Sequence, residues 1–127
     1  MPPFPSDAWL DSADRTLGAD ADLARLGQGI LLVVQQTVTS ADGSTAWHIR
    51  VDDGAVNLSR GPAPDATVTF TCDADTAEGI HEGTSSAQAE FMAGRLRVGG
   101  DVGVLLRHPD LLRSLAGVLG TLRTAAG

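Results

Sequence analysis

Early in the chain, Trp9, Leu10, Ala13, Leu17, Ala21 and Ala24 recur at helical spacing and share one face, so the pattern predicts an amphipathic helix over 7–26. Ser6 is placed to cap it, with Asp7 and Asp11 near its positive end, and Gly27 and Gly29 release the chain. The period then changes. Residues 30–34 form a continuous apolar run and 35–39 return to alternation, which predicts a central strand covered on both sides at its start. Thr45, Trp47, Ile49 and Val51 alternate with Ala46, His48, Arg50 and Asp52, predicting a second strand with one packed and one wet face. Val56 and Leu58 mark a third, and Ala66, Val68, Phe70 and Cys72, interleaved with threonines, a fourth. Asp42-Gly43 and Asp53-Gly54 are tight-turn signals, while Gly61-Pro62 and Pro64 close the third strand. Strands joined by connections this short are expected to form an antiparallel meander.

The second half of the chain mixes the two periods. Asp73 can cap a helix running through Ala77 and Ile80 and ended by Gly83. Ser85 and Gln88 have the spacing of a capping box, and Gly94 stands where a left-handed residue would end the short helix they begin. Residues 95–98, Arg-Leu-Arg-Val, alternate like a strand. Gly99 and Gly100 are expected to break it, and Asp101 to cap a helix whose first turns hold Val102, Val104, Leu105 and Leu106. Pro109 opens a last helix, 109–124, in which Leu111, Leu115, Val118 and Leu122 form a stripe widened by Leu112 and Leu119. Gly117 and Gly120 each weaken that helix by up to about 1 kcal/mol relative to alanine, so it has strong reason to dock and little rigidity of its own.

Composition narrows the class. The 127 residues fit one domain, 1–127, with 43% apolar content and no uninterrupted apolar run long enough to span a bilayer. The N-terminus lacks the pattern of a secretory signal, so a cytoplasmic location is expected. The single cysteine, Cys72, excludes an internal disulfide framework. A net charge of −7 argues against nucleic acid as a partner. The charge is uneven: residues 1–90 carry four arginines against fourteen acids, and residues 91–127 five arginines against two. That basic C-terminal third is a candidate surface for transient contact with anionic lipid headgroups.

No catalytic constellation stands out. His48 lies on the wet face of a strand, His81-Glu82 lacks the partner of H-E-x-x-H, and His108 precedes a proline in a loop. Cys72 shares a face with Val68 and Phe70 and reads as a small buried hydrophobe. Gly94, Gly99 and Gly100 form neither a dinucleotide fingerprint nor a Walker loop. The expectation is a protein that is not an enzyme and uses no metal or cofactor. What remains is an excess of apolar helix over a half-dry sheet with few aromatics to fill the space between them, an arrangement suited to an apolar ligand.

The segments A-W-H-I-R-V-D-D-G from Ala46, P-A-P-D-A-T-V-T-F from Pro62 and Q-A-E-F-M-A-G-R-L-R-V-G-G-D from Gln88 resemble the sterol carrier protein 2 family of lipid-binding domains. The likeness covers 23–106 and is strongest at Phe91, Gly94, Arg95, Leu96 and Gly99. It implies an α/β fold of the α+β type: a five-stranded, mostly antiparallel sheet covered on one side by helices and enclosing an apolar tunnel. It also implies non-enzymatic binding, and transfer, of a fatty acid, fatty acyl-CoA, phospholipid or sterol-like lipid. The expected lining is Val34, Trp47, Ile49, Phe70, Phe91, Met92 and Leu96, closed by Leu111, Leu112, Leu115 and Leu119 of the last helix, with Gln88 as a headgroup contact. Two alternatives are an interaction module that dimerises with a self-filled cavity, and an accessory domain presenting acyl-CoA to an enzyme. Ala87, Glu90 and Asp101 depart from the family pattern, and the chain ends Ala125-Ala126-Gly127 where a peroxisomal tripeptide would stand.

Overall fold

The computed structural model describes residues 7–41, 43–82, 84, 86–111 and 113–115. The long N-terminal helix expected from the sequence is two helices, α1 (Asp7–Ala19) and α2 (Ala21–Leu26). Asp20 divides them: its backbone is extended and its side chain accepts a hydrogen bond from the Leu23 amide at 2.9 Å, capping α2. The break also shifts the phase: Ala21, expected to continue the face of Leu17, is exposed, and Leu23 is the residue of α2 that is buried.

Strands β1 (Leu31–Ser40), β2 (Gly43–Asp52) and β3 (Ala55–Arg60) form the expected antiparallel hairpins. In the β2–β3 turn Asp53 and Gly54 both have positive φ, as the Asp-Gly signal predicts. Strand β4 (Val68–Asp73) does not continue the meander. It crosses the sheet to pair in parallel with β1, and β5 (Arg97–Gly100) pairs antiparallel with β4, giving the order β3-β2-β1-β4-β5.

A connection as short as 61–67 can cross two strands because of the register. Leu58 of β3 and Val68 of β4 both lie level with the Val34–Ile49 pair, so the chain travels sideways and hardly back along the strands. The crossover lies on the side of the sheet away from the helices. There the Thr67 amide donates to the Val33 carbonyl at 2.8 Å and its hydroxyl accepts from the Val33 amide at 3.0 Å. The Ala63 amide donates to Gln35 Oε1, and Arg50 forms a two-pronged ion pair with Asp65 at 2.9 Å. His48, expected to be solvated, is half-buried with Nδ1 2.9 Å from the Gly61 carbonyl.

The remaining helices are α3 (Ala74–Glu82), α4 (Ala87–Met92) and α5 (Val104–Arg107), followed by helical residues 109–111 and 113–115. Asp73 caps α3 through the Thr76 amide, as expected. The cap of α4 is Ser86, one residue later than the capping-box reading, and Gly94 beyond it lies in the left-handed region at φ +80°. Strand β5 begins two residues later than expected and contains Gly99 and Gly100, because pairing with Thr69 and Val68 extends it beyond its alternating pattern. Asp101 accepts from the Gly103 amide and pairs with Arg107 at 2.6 Å, but α5 itself starts at Val104. Residues 116–124 of the predicted last helix lie outside the described residues.

Candidate functional site

The side of the sheet facing the helices is fixed by Trp47, Ile49 and Val51 of β2, which are buried, with Trp9 of α1 edge-on to Trp47 at 6.2 Å. Register carries that face across the sheet. Leu32, Val34, Gln36 and Val38 of β1 share it, as do Val56 and Leu58 of β3, Val68, Phe70 and Cys72 of β4, and Val98 of β5. Leu23 of α2, Ala77 of α3, Leu96, Val104, Leu111 and Leu115 close over it in one continuous apolar cluster.

The face is not uniformly sealed. Leu32, Val38, Val51 and Val68 are shut off from solvent, whereas Val34, Gln36, Phe70 and Val98, neighbours through the β1–β4–β5 pairing, are only half-buried. An apolar floor that solvent still reaches, running from the central strand β1 to the edge strand β5, is the feature a greasy guest would cover.

Of the lining expected from the sequence, Val34, Trp47, Ile49, Phe70, Leu96, Leu111 and Leu115 are brought together on or against this floor. Phe91 and Met92 are not: they are 54% and 79% exposed. Among the described side chains of α4 the buried one is instead Glu90, whose carboxylate takes hydrogen bonds from Nε and a terminal nitrogen of Arg95. With Glu90 turned inward, positions about 100° and 200° further round the helix turn out. Gln88 lies in α4, with its side chain outside the described residues, as are Leu112 and Leu119. Gln36 was missed, although its signal is legible: it interrupts the Leu32, Val34, Val38 phase of β1 with an amide.

Charges around the floor are balanced locally. Arg60, at the β3 edge, is held by Asp7 and Asp11 at 3.0 Å each, which raises its pKa. Glu90 likewise raises Arg95. Burial pushes the Cys72 thiol up, and the nearby negative charges of Asp73 and Glu90 add to the shift. In the basic C-terminal third, Arg95, Arg107 and Arg113 each face an acid. Among the described residues no group of His, Cys, Asp and Glu could hold a metal ion, and no helix is long and apolar enough to cross a membrane.

This architecture, a five-stranded antiparallel-rich sheet with one face roofed by helices, is that of sterol carrier proteins. A sequence profile of the SCP-2 sterol transfer family matches residues 10–113, and the chain belongs to that family. It is similar in structure to sterol carrier protein 2, with TM-score 0.75 and 16% identity over 93% of this chain and 98% of that one. A conserved hypothetical protein from Thermus thermophilus has TM-score 0.72 and 18% identity over 95% and 90% of the two chains. The palmitated sterol carrier protein 2-like protein 2 of Aedes aegypti has TM-score 0.59 and 20% identity, covering 89% of this chain and 92% of that one. A comparison with curated proteins finds no match.

Proposed function

We propose that this protein binds an apolar lipid on the half-open floor formed by Val34, Phe70 and Val98, without catalysing its conversion, and releases it to acceptor membranes or enzymes. The observation that carries the reading is solvent access to Val34, Phe70 and Val98, from the central strand out to β5, on a face whose other apolar side chains are buried. Family membership, and the palmitate held by the Aedes aegypti relative, support a lipid as the occupant. Each methylene buried contributes about 0.8 kcal/mol, so a long aliphatic chain needs little else to bind. The protein would work in the cytoplasm, where its lone thiol, Cys72, stays reduced.

Titration with a fluorescent fatty acid, read as quenching of Trp47 in a Trp9→Phe background, is expected to saturate at one ligand per chain. Mass spectrometry of organic extracts should recover a lipid from the purified protein. Failure of fatty acid, acyl-CoA and phospholipid alike to bind would overturn the reading. Transfer is expected to be faster to anionic than to neutral vesicles at low salt, but only modestly, because Arg95, Arg107 and Arg113 are already ion-paired. The exposed Phe91 and Met92 favour the interaction module as second reading; sedimentation of a lipid-free dimer would support it.

A further inference from the structure

The floor is apolar except at one place. Among the described residues of the sheet, the polar side chains that share the helix-facing side are Gln36, Ser40, Thr45 and Arg60. Ser40 and Thr45 are exposed near the β1–β2 turn, and Arg60 is exposed at the edge and taken up by Asp7 and Asp11. Gln36 alone stands in the interior of the floor, on the central strand, with Trp47 opposite on one side and Phe70 on the other. One of its amide hydrogens goes to Cys72 Sγ at 3.5 Å, a weak acceptor. No donor from a described residue reaches its Oε1, and its second amide hydrogen likewise has no acceptor there. A half-buried amide with an open carbonyl, set among aromatic and aliphatic side chains, is what a polar head needs when its tail lies on the surrounding surface.

Resting on the proposed lipid-binding function, we infer that Gln36 is the specificity-determining residue of the site and selects an uncharged, hydroxyl-bearing lipid head, whose O–H donates to Oε1 of Gln36.

The electrostatics favour a neutral head over an ionised carboxylate. The two arginines beside the floor are already taken up: Arg60 and Arg95 are each held by acids. Glu90 and Arg95 compensate each other, which leaves Asp73 to place negative potential at Cys72, the partner of Gln36. A carboxylate brought there would lose its hydration, gain no counter-ion and meet repulsion. A hydroxyl loses one hydrogen bond to water and regains one from the amide.

The test separates the floor from the head. Diphenylhexatriene, a headless fluorescent hydrocarbon, reports whether the apolar site binds at all, and decanol, decane and decanoate then compete for it. At pH 7, wild-type protein is expected to bind decanol at least about tenfold more tightly than decanoate. In Gln36→Met, which matches the side chain in size but lacks the amide, the decanol-to-decane affinity ratio is expected to fall about fivefold, one net hydrogen bond. If diphenylhexatriene fails to bind wild-type protein, the lipid-binding reading falls and this inference with it. If it binds, but decanoate matches decanol, or the ratio is unmoved in a Gln36→Met protein whose melting curve stays cooperative, the head assignment alone is overturned. The wild-type comparison stands even if the variant does not fold.

Discussion

Leu32 and Val51 face each other across the β1–β2 pair, with Val68 diagonal to Leu32 on β4, and all three have no solvent exposure. Leu32→Ala is expected to cost about 2–5 kcal/mol, as the urea midpoint of unfolding would report; a loss under about 1 kcal/mol would mean the floor relaxes around the hole. Cys72, two residues along from Phe70 on the same face, is buried and its thiol is pushed up by that burial. It is therefore neutral at pH 7 and shielded. Alkylation by iodoacetamide is expected to be slow in the native protein and fast in urea, and native labelling at the rate of a free thiol would contradict this. Burial of Cys72 was legible in the sequence because strand alternation fixes which residues share a face. The outward turn of Phe91 and Met92 was not: in a six-residue helix hydrophobicity says little, and the ion pair between Glu90 and Arg95 decides which side faces in.

At the scale of elements, local turn chemistry was readable and the crossover was not. Asp53-Gly54 made its hairpin, but nothing in 61–67 distinguishes a turn between neighbours from a strap over two strands, since both are short and rich in proline and glycine. The strap is anchored at its far end by Gly100. That residue pairs with Val68 at φ +79°, and a Cβ there would lie 2.6 Å from the Thr67 carbonyl, which is occupied by the Asp101 amide. Gly100→Ala is expected to destabilise the fold by upwards of about 1 kcal/mol, through both the backbone conformation and the clash. A variant as stable as the parent in thermal melts would show that the β4–β5 end can shift.

The molecule as a whole carries a net charge of −7, and its acids are used as local fasteners. Asp65 is held below the ordinary aspartate value by hydrogen bonds from Arg50, Asp73 chiefly by the Thr76 amide, and Asp101 chiefly by Arg107. Each has a folded-state pKa below its unfolded one. Their stabilisation is therefore complete above the unfolded value near ~3.9 and is lost as pH falls below it, through the folded values. Unfolding midpoints are expected to be nearly flat from about pH 8 to 5 and to fall below about pH 4, modestly for each of these exposed groups. Arg50→Ala should flatten the acid limb slightly, and an unchanged profile would remove the Arg50–Asp65 pair from the account.

By itself the sequence determined which residues of the strands face the core and where most helices and strands lie. These follow from periodicity and capping, which act over a few residues and are written locally. Only the tertiary structure decided that β4 leaves its neighbour to lie parallel with β1, that Glu90 and not Phe91 or Met92 turns inward, and that Gln36 stands in an apolar floor half-open to solvent. Each of those depends on groups far apart in the chain meeting at one place, and spacing along the sequence does not encode which of them meet.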